Sequence, residues 1–166
     1  MAEYTVIKQD HEVAYSGYVD LSAFWKHMRL VMTKKGYTYF EVEHNEIVRK
    51  NGKHIYLKAD SDRQLSDDIK GRLKAQVTVR NVRDVTVELD EKPRRLQEVE
   101  LVLNLSTFLI SDYEGRYHGT AMLFFLRRVY EKFFGVREIK KFSSLLLHDH
   151  EAVITEAKRY LNLQNY

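Results

Sequence analysis

The chain has no cysteine, one proline and seven glycines in 166 residues. Without cysteine there are no disulfide staples, no thiolate metal ligands and no cysteine nucleophile. One proline and seven glycines leave no room for a Pro- or Gly-rich linker, so a single domain spanning 1–166 is expected. The longest apolar run, AMLFFL at 121–126, is far short of the ~20 residues that span a bilayer. MAEYTVIKQD lacks a basic stretch followed by an apolar one. These absences predict a soluble, cytoplasmic protein that does not engage a membrane.

What is present is a globular composition, 44% apolar and 31% charged. The net charge is only +3, but it is unevenly spread. Residues 116–141 carry seven basic and two acidic side chains, a local +5 that leaves −2 for the rest. Arg127, Arg128, Lys132, Arg137, Lys140 and Lys141 form the candidate contact patch within that segment.

The hydrophobic period changes twice along the chain. Residues 4–18 hold two short alternating pieces separated by QDHE, read as an irregular strand or small hairpin. Asp20 is placed to cap a helix from about 21 to 35, with Leu21, Phe24, Trp25, Met28 and Met32 on one stripe. Gly36 can end it in a left-handed conformation. The period then becomes two: YTYFEVEH, HIYLKA, RLKAQVTVR, DVTVEL and EVELVLNL each alternate apolar and polar residues. Asn51-Gly52 suggests a two-residue type I′ turn, Pro93 falls in the polar connection DEKPRR, and the acidic groups at 60–62 and 67–68 read as turns.

From about 119 the helical period returns, with Gly135 dividing one helix over 119–134 from another over about 137–162. The expected class is α+β: a single antiparallel sheet of about five to six strands. One face should be covered by an N-terminal helix and a long, glycine-broken C-terminal helical region.

The most chemical-looking stretch is His148-Asp149-His150-Glu151. Residues two apart on a helix differ by about 200°, so His148 and His150 face apart and cannot share an ion. The stripe Ile139, Phe142, Leu146, His150, Val153, Ala157, Tyr160 turns His150 toward the core, where a carbonyl or tyrosine is its expected partner. His148 and Glu151 supply two ligands, fewer than the three a zinc site needs. A third would have to come from His11, His27, His44, His54 or His118. No Walker A, G-x-S-x-G, G-x-G-x-x-G or H-E-x-x-H motif occurs. The sequence therefore points to no catalytic, cofactor or metal residues.

The surplus of aromatics, eleven tyrosines and eight phenylalanines, favours a protein partner or self-association. RNA contact is a further option for the basic patch. The leading expectation is a non-enzymatic interaction or assembly module of a larger protein or ribonucleoprotein complex.

GYVDLSAFWKHMRLVMTKKGY (17–37), EVELVLNLSTFLISDYEGRY (98–117) and FLRRVYEKFF (125–134) resemble a group of small proteins found largely in archaeal and metagenomic sequences. That resemblance implies no activity and no site residues. The order β-α-β(n)-α is similar to the helix-grip architecture of START-like ligand-binding proteins. It implies, as the alternative function, a small-ligand binder with an apolar cavity between sheet and C-terminal helix. Tyr113, Tyr117 and His150 are the candidate polar groups of such a cavity.

Overall fold

The computed structural model describes residues 3–89, 92–111 and 136–163, together with the single positions 122, 125 and 129. Among the described residues, the continuous elements follow in the order β1 (Glu3–Val19), α1 (Leu21–Lys34), β2 (Thr38–Arg49), β3 (Gly52–Gln64), β4 (Ile69–Leu89), β5 (Lys92–Ser111) and α2 (Val136–Leu163). The strands form one antiparallel sheet in the order β1-β5-β4-β3-β2. The α+β expectation holds.

Alternation fixes which sheet face is dry. Val13 pairs with Leu103, Leu103 with Val77 and Val77 with Leu57, giving one buried row across four strands. His11, Leu105, Ala75 and Ala59 form the next row, with all but His11 buried. Onto this face α1 sets Leu21, Phe24, Met28 and Met32, and α2 sets Leu146, Val153, Ile154, Ala157 and Leu161. The predicted stripe on α2 is correct except at its start, where Ile139 is exposed.

Local chemistry sets the ends of α1. Asp20 Oδ1 accepts from the Ala23 amide at 3.0 Å, Gln97 Oε1 accepts from Leu21 N, and Gly36 closes the helix at φ +84°. The β2–β3 hairpin differs from expectation by one residue. Arg49 pairs with Gly52, so Lys50 and Asn51 are the loop. Gly52, at φ +130°, uses its freedom beside β4, where a Cβ would stand 3.0 Å from the Asn81 carbonyl carbon.

Three other expectations change. RLKAQVTVR and DVTVEL belong to one 21-residue strand, whose register slips between Arg80 and Arg83 around Asn81 at φ +55°. Pro93 lies within β5 rather than in a connection. Asp60 and Asp62 lie in β3, not in a turn, because basic side chains on β4 hold them: Arg72 and Lys70 both bond Asp62, and Arg72 also pairs with Asp60. The helix expected over 119–134 falls outside the described residues except Met122, Phe125 and Val129, which are helical and exposed. No helix among the described residues is long and apolar enough to cross a membrane.

Candidate functional site

The polar chemistry of the covered sheet face gathers under the middle of α2. Asp149 and His150 are both buried there, and being neighbours on a helix they reach in different directions, about 100° apart.

His150 turns toward β1 and β5. Its Nδ1 lies 2.8 Å from Thr107 Oγ1, and its Nε2 lies 3.0 Å from His11 Nδ1. The two imidazoles meet nearly end to end, with centroids 5.2 Å apart and planes inclined by 26°. Burial pushes His150 down to about 4; His11 and Lys8 add to this and Glu151 opposes it, so the ring is neutral at pH 7. The expected carbonyl or tyrosine partner is replaced by a hydroxyl and a second histidine.

His11 reaches that position through a distortion of β1. The β1–β5 register shifts twice, between Val6 and Lys8 and again between Lys8 and His11. Asp10, just before His11, sits at φ +49°. Its amide donates to Ser106 Oγ at 3.0 Å, and the Ser106 hydroxyl donates to Asp10 Oδ1 at 3.3 Å. A bulge of this kind re-aims a side chain. Here it brings His11 into register with Leu105 on the covered face.

Glu151 completes the group: one ligand atom from each of His11, His150 and Glu151 lies within 4.8 Å of the others. His150 is buried, His11 is half-buried and Glu151 is exposed. His148 is exposed and takes no part in this group.

Asp149 turns the other way, toward α1 and β3. Lys35 Nζ donates to its Oδ1, and Tyr37 OH and Arg63 Nη1 donate to its Oδ2, each at 3.0 Å. Burial and then the Asp149 charge raise the Tyr37 hydroxyl well above its ordinary value, so Tyr37 is a neutral donor. Two cations and a phenol therefore compensate one buried carboxylate. The arrangement ties α2 to the end of α1 and to β3.

A second feature lies between α1 and the sheet. A cavity of about 20 Å³, room for one water, is lined by apolar residues including Phe24, Met28, Met32 and Leu103. Beside it, sharing Trp25, Arg29, Tyr39 and Leu57, runs an open groove of about 160 Å³. Ile55 and Leu57 line it, with Lys26, Arg29, Glu41 and His44 supplying charge. The Arg29 guanidinium lies 5.0 Å from the centre of the Tyr39 ring. Both spaces are smaller than the roughly 300–1,000 Å³ typical of small-molecule pockets.

Of the basic patch, Arg137, Lys140 and Lys141 are exposed in the first turns of α2, while Arg127, Arg128 and Lys132 lie outside the described residues. Tyr113 and Tyr117 also lie outside them, leaving His150 as the described member of the cavity trio.

Sequence reasoning missed the roles of Asp149 and His11. Asp149 was legible, since it stands three residues after Leu146 and four before Val153, on the same apolar stripe. His11 was not, because its placement depends on a bulge and on a partner strand over ninety residues away. No protein-family model and no curated protein matches the chain.

Proposed function

We propose that the protein is a non-enzymatic interaction module that takes up an extended segment of another protein along β2. The observation that carries this reading is the adjacency of an open sheet edge and a groove. β2 is last in the sheet order and, among the described residues, pairs only with β3. Every position of β2 is exposed except Tyr39, with Phe40 at 51%, Val42 at 56%, Ile47 at 53% and Val48 at 82%. An edge of this kind offers free backbone donors and acceptors to an added strand, and a groove beside it selects side chains.

The groove favours an apolar or aromatic residue against Trp25, Ile55 and Leu57. An acidic neighbour on that residue would meet Lys26 and Arg29 of α1. A second copy of the chain suits the edge poorly: β2 carries Glu41, Glu43 and Glu46 against Arg49, so two such strands would set like charges together.

Trp25 is the only tryptophan and lines the groove, which gives a direct readout. Peptides selected from a displayed random library should share an aromatic or apolar residue next to an acidic one, and should change Trp25 emission on binding. The double variant Lys26→Glu, Arg29→Glu should weaken them by at least about tenfold, or 1.4 kcal/mol. Failure to select any peptide, or equal binding to the double variant, overturns the proposal.

A further inference from the structure

We propose that His11, His150 and Glu151 form a binding site for one divalent transition-metal ion of the zinc class, built between β1 and α2. The site lies on the β1 side of the sheet and is independent of the peptide groove beside β2.

The donor spacing is that of two nitrogens on one ion, and a tilt of the half-buried His11 ring turns both lone pairs, now aimed at each other, onto a shared point. Metal–nitrogen bonds of about 2.0–2.1 Å, at angles of 90–110°, set two coordinating nitrogens about 2.9–3.4 Å apart. His11 Nδ1 and His150 Nε2 are 3.0 Å apart. Glu151 has a ligand atom within 4.8 Å of both, and as an exposed side chain it needs only a rotamer adjustment to close. Two imidazoles and a carboxylate are the three-ligand set of open zinc and related sites. That set disfavours magnesium and calcium, which take oxygen donors.

A hydrogen bond between the two rings also accounts for the 3.0 Å distance and the end-to-end arrangement. Three further features are those of a metal site. Thr107 Oγ1 holds the non-ligating nitrogen of His150 at 2.8 Å, as outer-shell partners of metal-bound histidines do. A backbone held at φ +49° by the Asp10–Ser106 bonds delivers His11 to the buried ring, and such distortions cluster at functional positions. The burial gradient from His150 through His11 to Glu151 leaves the ion open to solvent on one side, with a coordination position for water or an external ligand.

The full chain, without a histidine tag and stripped with chelator, would be titrated with Co²⁺ and then Zn²⁺. The proposal expects one saturable equivalent of Co²⁺ with visible absorption bands, displacement of those bands by Zn²⁺, and a Zn²⁺-dependent rise in Tm. His11→Ala, at a half-buried ring, and Glu151→Gln, at an exposed carboxylate, should each weaken binding by at least about tenfold. Thr107→Val should weaken it by about 10–100-fold, and His148→Ala should leave it unchanged. Absence of saturable uptake, or uptake that survives both His11→Ala and Glu151→Gln, overturns the site. Peptide selection does not depend on metal, so failure here leaves the groove reading standing and the reverse also holds.

Discussion

Leu146 of α2 rests directly on Gly71 of β4: a Cβ at position 71 would stand 2.2 Å from Leu146 Cδ2. Leu146 is fully buried, so it has no solvent to retreat into. Gly71→Ala should therefore destabilise the protein by about 1–3 kcal/mol through overpacking. Leu146→Ala alone should cost about 2–5 kcal/mol. In the Leu146→Ala background the added methyl at 71 has space, so its cost should fall by at least about 0.5 kcal/mol. Urea unfolding of the four proteins measures this coupling. An unchanged cost for Gly71→Ala in both backgrounds would show that the close approach is not what requires glycine.

Asp149→Ala should cost about 1–3 kcal/mol, because it removes the acceptor of Tyr37, Lys35 and Arg63 at once and leaves the buried Tyr37 hydroxyl unpartnered. Lys35→Ala and Arg63→Ala should each cost less, since those side chains are 24% and 30% exposed and each removes one of three donors. Thermal unfolding of the three variants orders them. A smaller effect for Asp149→Ala than for Arg63→Ala contradicts the account of this junction.

Acid should remove the stabilisation supplied by Asp62. Burial raises its carboxyl, but hydrogen bonds and charge from Arg72 and Lys70 outweigh that and leave it below the ordinary aspartate value. A depressed carboxyl stabilises the fold above its unfolded pKa of about 3.9 and loses that contribution as pH falls through the folded value. The stability gap between the protein and Asp62→Asn should be constant from pH 7 to about pH 5 and shrink below about pH 4. Urea midpoints across this range decide it; a gap that widens in acid has the wrong sign.

Asp20→Ala removes the side-chain acceptor for the Ala23 amide and should cost about 1 kcal/mol. Asp20→Asn should recover most of the loss. At roughly 2–4 °C per kcal/mol for a chain of this size, differential scanning calorimetry resolves the pair.

Element type and facing were readable wherever a period was sustained. The stripe Leu21, Phe24, Met28, Met32 and the alternation Leu73, Ala75, Val77, Val79 state which side is buried, because a strand or helix has one dry face to fill. The position of each irregularity was hidden. Asn81 interrupts β4 without ending it, so one strand looked like two, and Asp60 and Asp62 looked like a turn until Arg72 and Lys70 came into register beside them. The candidate metal group was hidden for the same reason. His150 and Glu151 share a helix, but His11 joins them only through strand pairing and a bulge that no local pattern reveals.

The sheet order also constrains how the molecule assembles. Among the described residues β1 has a single neighbour, β5, and Val13 meets Leu103 ninety positions further along the chain. The hairpins β2–β3 and β4–β5 join segments close in sequence and cost little loop entropy to form. Closure of the N-terminal edge, and with it the meeting of His11 and His150, is therefore the strand pairing that closes the longest loop.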